Sequence, residues 1–367
     1  MSVRILESPA LTYDDVLIVP RRSSVYSRKE TSLRTRLVGD LELDLPFLSA
    51  NMDTVTEARM ARAMHGLGAL GVVHRFLSAD QHLSEMAEVP GPRILAIGVK
   101  EGDLDLVSRA EGLSAVLVDV AHGHSDRVID RIHELRERFP NLWVIAGNVA
   151  TAEGTWDLLE AGAHAIKVGV GPGAVCTTRI VTGCGVPQLT AVLRARAAMD
   201  RWWEVEHRKA RPRTAHAPTL IADGGIRNSG DIVKALVAGA DTVMIGSLFA
   251  GTEESPGEVV LRDGQPCKRY RGMASAGAME VLGVSRTPEG VETWIPWKGS
   301  VAPLVAELEG GVRSGLSYCN ARSIQDLHEQ TIELVKVSSA GQQENQPHAT
   351  TRAHAAAAPL ASPTTTD

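Results

Sequence analysis

Eight short apolar segments, separated by stretches with helical periodicity, constrain the fold of this 367-residue chain most strongly. Each segment is a nearly continuous run of apolar residues, which is typical of parallel strands buried on both faces. The predicted strands are Pro46–Met52, Ala69–Arg75, Arg93–Val99, Ala115–Ala121, Leu142–Asn148, Ala165–Gly171, Thr219–Gly225 and Asp241–Ser247. Amphipathic patterns such as Ser125–Arg138 and Ser229–Ala238 lie between them and predict helices. Eight strand–helix units predict a single α/β domain, a (β/α)8 TIM barrel; the alternative is a doubly wound open sheet with two extra strands.

Three segments depart from the barrel pattern. The basic segment Arg201–His216 carries the adjacent Trp202 and Trp203, and we interpret it either as a surface loop or as a contact with another subunit or partner. The polar segment Val260–Val301 predicts a C-terminal flap outside the core. We expect the barrel domain to span residues 1–337 and the tail 338–367, rich in Ala, Thr, Gln, Ser and Pro, to be disordered.

Composition excludes several classes of protein. The net charge of −6 disfavours a nucleic-acid partner, because nucleic-acid binders are usually basic. Four cysteines without a CxxC pair disfavour a disulfide scaffold or a structural zinc site. No apolar run reaches about 18 residues, and the N-terminus has no signal-peptide core. We therefore expect a cytoplasmic protein with no membrane partner.

A cysteine follows the sixth predicted strand on a glycine-rich loop, Gly169–Arg179. Functional residues of a barrel collect at the carboxyl ends of the strands, so Cys176 is a candidate nucleophile, with Thr178 and Arg179 nearby. The alternative is a buried structural thiol, which we prefer for the other three cysteines, Cys184, Cys267 and Cys319.

A Gly-Gly pair, Gly224-Gly225, follows the seventh predicted strand, and a Gly-Ser pair, Gly246-Ser247, follows the eighth. Loops at these two strands form the usual phosphate site of barrels, where backbone N–H groups are the donors, although each pair could also be a simple turn. Asp223 would repel a phosphate and is better suited to accept hydrogen bonds from ribose hydroxyls.

The fourth predicted strand ends in Asp119 and is followed by His122, His124 and Ser125. Two histidines two residues apart, with no third ligand in the sequence nearby, are weak evidence for a metal site. A polar loop that faces a cofactor is the preferred interpretation.

The motifs now assembled resemble those of the IMP dehydrogenase / GMP reductase family, from Ala10 to Lys336. The matching segments are LTYDDVLI (Leu11–Ile18), SANMDTV (Ser49–Val55), DVAHGHS (Asp119–Ser125), AGNV (Ala146–Val149), GPGAVCTTR (Gly171–Arg179), ADGGI (Ala222–Ile226), GSLFAGTEESPGE (Gly246–Glu258), YRGM (Tyr270–Met273) and PEG (Pro288–Gly290). The resemblance implies a TIM barrel, a homotetramer, a purine nucleoside monophosphate (GMP or IMP) and a nicotinamide cofactor beside carbon 2 of the purine.

By matching position, the resemblance implies a covalent bond between Cys176 and carbon 2, with Thr178 and Glu289 as further catalytic residues. The nucleotide contacts that it implies are Asp223, Gly225, Gly246, Ser247, Tyr270, Gly272 and Met273. The cofactor contacts are Asp119, His122 and Ser125, and a K⁺ ion would bind the carbonyls of Gly171, Gly173 and Cys176. Where the family usually has a serine that touches the phosphate, this chain has Ala174, so one hydrogen bond is missing.

The direction of the reaction depends on how the covalent intermediate is resolved. The dehydrogenase needs a base for water, which the family supplies as an Arg-Tyr pair on the flap, whereas the reductase protonates a departing amine through a Thr and a Glu. The segment Gly272–Glu289 contains no Tyr, and its one Arg is Arg286. The span from Val89 to Gly98 leaves no room for the CBS-domain pair of most dehydrogenases.

We therefore predict a GMP reductase that converts GMP to IMP and ammonia with NADPH. The alternative is an IMP dehydrogenase without CBS domains that oxidises IMP to XMP with NAD, because HGHS, ADGGIR and GTEESPGE are closer to dehydrogenases. A nucleotide-binding protein without catalysis is the third hypothesis, and retention of Cys176, Thr178 and Glu289 argues against it.

Overall fold

The computed structural model describes residues 3, 5, 6, 8–209, 214–281, 283 and 287–345. Its strands are β1 (Val16–Ile18), β2 (Thr35–Val38), β3 (Leu41–Leu43), β4 (Phe47–Ser49), β5 (Leu70–Gly71), β6 (Arg93–Ile97), β7 (Leu113–Asp119), β8 (Trp143–Val149), β9 (Ala165–Val168), β10 (Thr219–Asp223), β11 (Thr242–Ile245), β12 (Val260–Arg262), β13 (Gln265–Arg271), β14 (Glu292–Pro296) and β15 (Leu334–Lys336). Its α-helices are α1 (Ala58–Gly66), α2 (Ala79–Ala87), α3 (Asp103–Arg109), α4 (Asp126–Arg138), α5 (Ala152–Ala161), α6 (Thr178–Thr182), α7 (Gln188–His207), α8 (Ser229–Val237), α9 (Ala276–Val281), α10 (Val301–Tyr318), α11 (Ile324–His328) and α12 (Ser339–Glu344).

The eight predicted strands form one parallel sheet, in the order β5-β4-β11-β10-β9-β8-β7-β6. The first of the eight, β4, pairs with the last, β11, so the order is that of a ring opened between β5 and β6. An open doubly wound sheet does not have this order, and the arrangement is consistent with a (β/α)8 barrel.

The apolar runs become strands because both of their faces are buried. Residues Ala115–Val118 of β7 are at most 1% exposed, and each fully buried Val or Leu contributes roughly 1.5–3 kcal/mol to the free energy of folding. The β2–β3 hairpin covers the amino ends of the strands: Thr35 Oγ1 donates to the Asp241 carbonyl, and Thr219 Oγ1 donates to the Leu37 carbonyl. The opposite, carboxyl ends are therefore left for the site.

The polar excursion after β11 folds as a separate antiparallel sheet of β12, β13 and β14, followed by α10. Residues 88–92 join α2 directly to β6.

No helix in the described part of the chain is both long and apolar enough to cross a membrane.

Two expectations about the outer segments change with the structure. The basic segment 201–216 begins as the last two turns of α7, and residues 210–213 lie outside the described residues. The interpretation of Trp202 as an interface anchor is wrong, because Trp202 is 2% exposed and donates from Nε1 to Glu160 Oε1 at 2.7 Å. Residues Ser339–Glu344 form α12, so disorder does not begin at 338; the tail from 346 onwards lies outside the described residues.

We expect Trp202→Ala to lower the free energy of unfolding by about 3–5 kcal/mol, since it empties a packed site between α5 and α7 and leaves Glu160 without the indole donor. Urea denaturation measures this loss, and Trp203→Ala is the control because Trp203 is only half-buried and stacks on His207. A variant that keeps full stability but changes oligomer size in gel filtration would instead restore the interface interpretation.

Candidate active site

A cavity of about 340 Å³ lies at the carboxyl ends of the strands of the eight-stranded sheet. Residues at or after the carboxyl ends of seven strands of the sheet (β4, β5, β7, β8, β9, β10 and β11) meet there, together with Tyr270 of β13 and the segment around Glu289. The predicted site residues that line it are Asp119, Gly171, Gly173, Cys176, Thr178, Asp223, Gly225, Gly246, Ser247, Tyr270, Gly272, Met273 and Glu289. Sequence positions more than 150 residues apart are thus brought to one cavity, and their individual roles stay predictions.

The loop that carries Cys176 can approach the next strand only because it contains glycine. Gly169 has a φ of +153°, and a Cβ there would lie 2.1 Å from the carbonyl oxygen of Asp223. Arg179 then fixes the loop from behind, with Nε donating to the Val170 carbonyl at 3.1 Å and Nη2 donating to the Val186 carbonyl at 2.6 Å. These two hydrogen bonds restrict the conformation of the loop that carries Cys176.

Cys176, Thr178 and Glu289 form one structural unit. The Cys176 thiol donates to Thr178 Oγ1, with 3.2 Å between sulfur and oxygen, and the Thr177 N–H donates to the Glu289 carbonyl at 2.9 Å. The segment after Glu289 also pairs with the cysteine loop, since the Val291 N–H donates to the Val175 carbonyl at 2.9 Å. Backbone pairing thus brings the segment of Glu289 beside Cys176, which lies 113 positions earlier in the chain.

The other three cysteines differ in their solvent exposure, which the sequence did not predict. Cys267 and Cys319 are buried, as a structural thiol should be, whereas Cys184 is exposed. The prediction of a buried thiol is wrong for Cys184, because the residue follows the glycine that ends α6 and lies on the surface.

A buried lysine connects the two carboxylates of the site. Lys167 of β9 is 2% exposed, and its ammonium binds Asp119 Oδ1 at 3.0 Å and also Asp223 Oδ2. Asn148 Nδ2 donates to the same Asp223 oxygen at 2.8 Å and to the Gly169 carbonyl at 2.8 Å. Because Oδ2 of Asp223 is held twice, its Oδ1 is the oxygen left to accept hydrogen bonds from a ligand.

The charges of this cluster reinforce one another. Burial alone would lower the pKa of Lys167, but Asp119 and Asp223 outweigh it, so this pKa is raised and the ammonium is kept. Burial alone would raise the pKa of Asp119, but Lys167 and Arg75 outweigh it, so this pKa is lowered and the carboxylate is kept. Burial, followed by the charge of Asp223, raises the pKa of Tyr270, so its phenol remains a hydrogen-bond donor at neutral pH.

Both glycine pairs present free backbone donors at the cavity. Within the described residues, the N–H groups of Gly225, Ile226 and Ser247 donate to no protein acceptor, and all three residues line the cavity. Uncommitted N–H groups converging on one place suit an anion such as a phosphate.

The proposed cofactor residues do not stay together. Asp119 lines the cavity, but His122 is exposed and Ser125 is at the start of α4, and neither lines it. His124 Nε2 lies 2.8 Å from Asp157 Oδ2, and the part of the chain that is described holds no group of three or more His, Cys, Asp or Glu side chains placed to bind a metal.

Sequence reasoning missed Lys167, Asn148 and Arg75. Arg75 lines the cavity and donates from Nε to the Asp119 carbonyl at 3.1 Å. The available signal was a lysine inside the apolar run AIKVGVG, since a buried lysine needs a charged partner.

Comparisons with known proteins identify the family to which this chain belongs. A family model described as "IMP dehydrogenase / GMP reductase domain" matches residues 10–348. An inosine-5′-monophosphate dehydrogenase of Borreliella burgdorferi is 37% identical, over 92% of this chain and 96% of its own. One of Cryptosporidium parvum is 36% identical over 92% and 94%, and one of Nitrosopumilus maritimus is 33% identical over 92% and 98%. The last alignment is 483 residues long, so it includes segments of that relative without a counterpart in this 367-residue chain. With a family model over most of its length and relatives matched almost end to end, the chain belongs to the IMP dehydrogenase / GMP reductase family.

Proposed function

We propose that this protein is an IMP dehydrogenase that oxidises IMP to XMP with NAD. The observation that carries this proposal is the similarity to dehydrogenases over nearly the whole length of both chains. This similarity favours the oxidation of IMP, whereas the flap sequence predicted the reduction of GMP. The class of nucleotide and the catalytic cysteine are the same in both hypotheses.

In this proposal different residues of the cavity bind the phosphate, the ribose and the base of the nucleotide. The free N–H groups of Gly225, Ile226 and Ser247 and the Tyr270 phenol bind the 5′-phosphate, and Asp223 Oδ1 accepts from the ribose. The base then lies along Gly272 and Met273, which places carbon 2 of the purine at Cys176.

Cys176 gives up its thiol proton and forms a bond from Sγ to carbon 2 of the purine, and the hydride of that carbon then leaves with its electron pair. Water next attacks carbon 2, and Sγ departs as XMP forms. Thr178 is hydrogen-bonded to Cys176, and Glu289 lines the same cavity, so the hydroxyl and the carboxylate can pass the proton of that water away from the reacting carbon.

The cofactor side of the site is consistent with a nicotinamide dinucleotide, which when bound supplies the acceptor for the hydride. Arg75 Nε lies 3.8 Å from Asp119 Oδ2, beyond hydrogen-bond distance, so this contact leaves the oxygen able to accept from a ligand hydroxyl or amide. His122 and Ser125 lie outside the cavity lining and would meet only the part of a cofactor that extends beyond it.

A K⁺ site on the cysteine loop, a tetramer and a cytoplasmic location stay predictions. For the ion, the carbonyls of Gly171 and Cys176 accept no hydrogen bond within the described residues, while that of Gly173 accepts one from the Cys176 N–H at 3.0 Å. These oxygens suit a monovalent cation.

GMP reductase is the second candidate, because the segment Gly272–Glu289 contains no Arg-Tyr pair to activate water. Thr178 and Glu289 would then protonate the departing amine, and NADPH would be the hydride donor. Arg286, the one arginine of the segment Gly272–Glu289, lies outside the described residues.

Absorbance at about 340 nm, where the reduced nicotinamide absorbs, separates these functions. We expect it to rise with IMP and NAD and to stay constant with GMP and NADPH. A fall in the second mixture and no change in the first would identify the reductase. Nucleotide binding without a change in either mixture would identify a binding protein.

A further inference from the structure

Lys298 holds the turn that carries Ser247. Its ammonium donates to the carbonyls of Ser247 at 2.8 Å, Leu248 at 2.9 Å and Ala250 at 2.8 Å. An ammonium has three N–H donors, so all of them are used although the residue as a whole is exposed. Lys298 is not among the residues that line the cavity, so it can act on a ligand only through the turn.

The hydrogen bonds of this turn fix the direction of two of its N–H groups, those of Ser247, which lines the cavity, and of Leu248, the next residue. A planar trans peptide ties each carbonyl to the N–H of the next residue. The Gly246 carbonyl accepts from the N–H of Ala250 at 2.8 Å, which fixes the Ser247 N–H. The Ser247 carbonyl accepts from Lys298, which fixes the Leu248 N–H. Neither N–H donates to an acceptor within the described residues.

Backbone pairing places the ammonium against this turn. The Lys298 N–H donates to the Gly251 carbonyl at 2.9 Å, and the Glu253 N–H donates to the Gly299 carbonyl at 2.7 Å. The strand β14, which precedes Lys298, follows directly on the segment of Glu289. The flap sheet therefore supplies the cation that orders the loop after β11.

We propose that Lys298 is a positioning residue for the phosphate of the bound nucleotide, and that it acts by holding the 247–250 turn with its N–H groups directed at the site. This inference rests on the proposed binding of a purine nucleoside monophosphate. In a variant without the ammonium, three carbonyls lose their donor. The turn is then ordered only when a phosphate binds, and this ordering reduces the free energy of phosphate binding. The added positive charge at the carbonyl side of the turn also favours an anion at its N–H side.

The test compares the dissociation constants of IMP and inosine, measured by calorimetry and by competition, so turnover is not needed. We expect Lys298→Met to weaken IMP binding about 10-fold and to leave inosine binding within about twofold, because only IMP carries the phosphate. Lys298→Gln, which keeps amide donors without the charge, should lie between, and Lys298→Arg should stay close to wild type.

Lys29→Met is the matched control, since Lys29 is exposed and its ammonium makes no hydrogen bond or ion pair within the described residues. An equal loss for IMP and inosine, or no loss for either, would overturn the role of Lys298. If the wild-type protein itself does not prefer IMP to inosine, the proposed function fails instead, whatever the variants do.

Discussion

Replacing Cys176 by alanine is expected to lower kcat by at least about 10⁴-fold, while the dissociation constant of the nucleotide changes by no more than about threefold. In the proposed mechanism the thiol bonds to the purine, so without it the reaction loses its covalent route. The contacts proposed for phosphate and ribose come from other loops, at Asp223, Gly225 and Ser247, and they survive the change. Steady-state kinetics and calorimetry with the same preparation measure the two effects.

Cys184→Ala is the matched control for this prediction. Cys184 lies eight residues further along the same loop region, but it is exposed, and among the described residues its sulfur hydrogen-bonds only to the Thr182 carbonyl, at 3.7 Å. We expect unchanged kcat in this variant. Turnover that persists in Cys176→Ala would exclude covalent catalysis by this residue.

Replacing Lys167 by methionine is expected to cost about 3–5 kcal/mol of unfolding free energy and to abolish tight nucleotide binding. The change leaves Asp119 and Asp223 facing each other without the cation that both contact. One carboxyl then takes up a proton, and Asp223 loses the partner that directs Oδ2 away from the ligand. Thermal or urea unfolding and nucleotide titration measure the two losses.

The pH dependence of the variant has a defined sign. In the wild type, the lowered pKa of Asp119 contributes stability that is present above the unfolded pKa of an aspartate and is lost on acidification. In Lys167→Met, a carboxyl with a raised pKa contributes stability that is lost as the pH rises. The difference in stability between the two proteins should therefore be larger at pH 7 than at pH 5.

The double variant Lys167→Met/Asp119→Asn closes the cycle, because it removes the cation together with one of its two carboxylates. We expect it to be more stable than Lys167→Met alone, and together with the single variant Asp119→Asn it should give a coupling energy of about 1–3 kcal/mol. If the single Lys167 variant unfolds at the wild-type temperature, the charge balance described for the site is wrong.

Much of the fold was predictable from local sequence. All eight strands overlap the predicted runs, although β7 begins two residues earlier and β8 ends one residue later than predicted, and α4 and α8 match the two amphipathic patterns quoted for helices. Burial on both faces leaves a direct trace in residue type, so each strand can be recognised without knowing its neighbours. The pairing of β4 with β11 joins strands about 200 residues apart and leaves no such trace.

The site was predictable to the extent that its residues lie in loops with unusual backbone requirements. Cys176 and the two glycine pairs stand out because glycine allows close approach of the backbone, and that requirement is local. The family resemblance grouped His122 and Ser125 with Asp119 of the same loop as cofactor contacts, yet of the three only Asp119 lines the cavity. Proximity along a loop does not determine which side chains turn towards a cavity.

The sequence by itself therefore determined the barrel strands, the loop of Cys176 and the class of nucleotide chemistry that the family motifs imply. Only the tertiary structure decided that Lys167 joins Asp119 to Asp223, that Lys298 orders the turn of Ser247, and that Trp202 is buried. The reason is that a strand segment or a glycine loop is specified by nearby residues. Whether a charged or aromatic side chain is solvated or paired depends on partners from distant strands, which only the folded chain brings together.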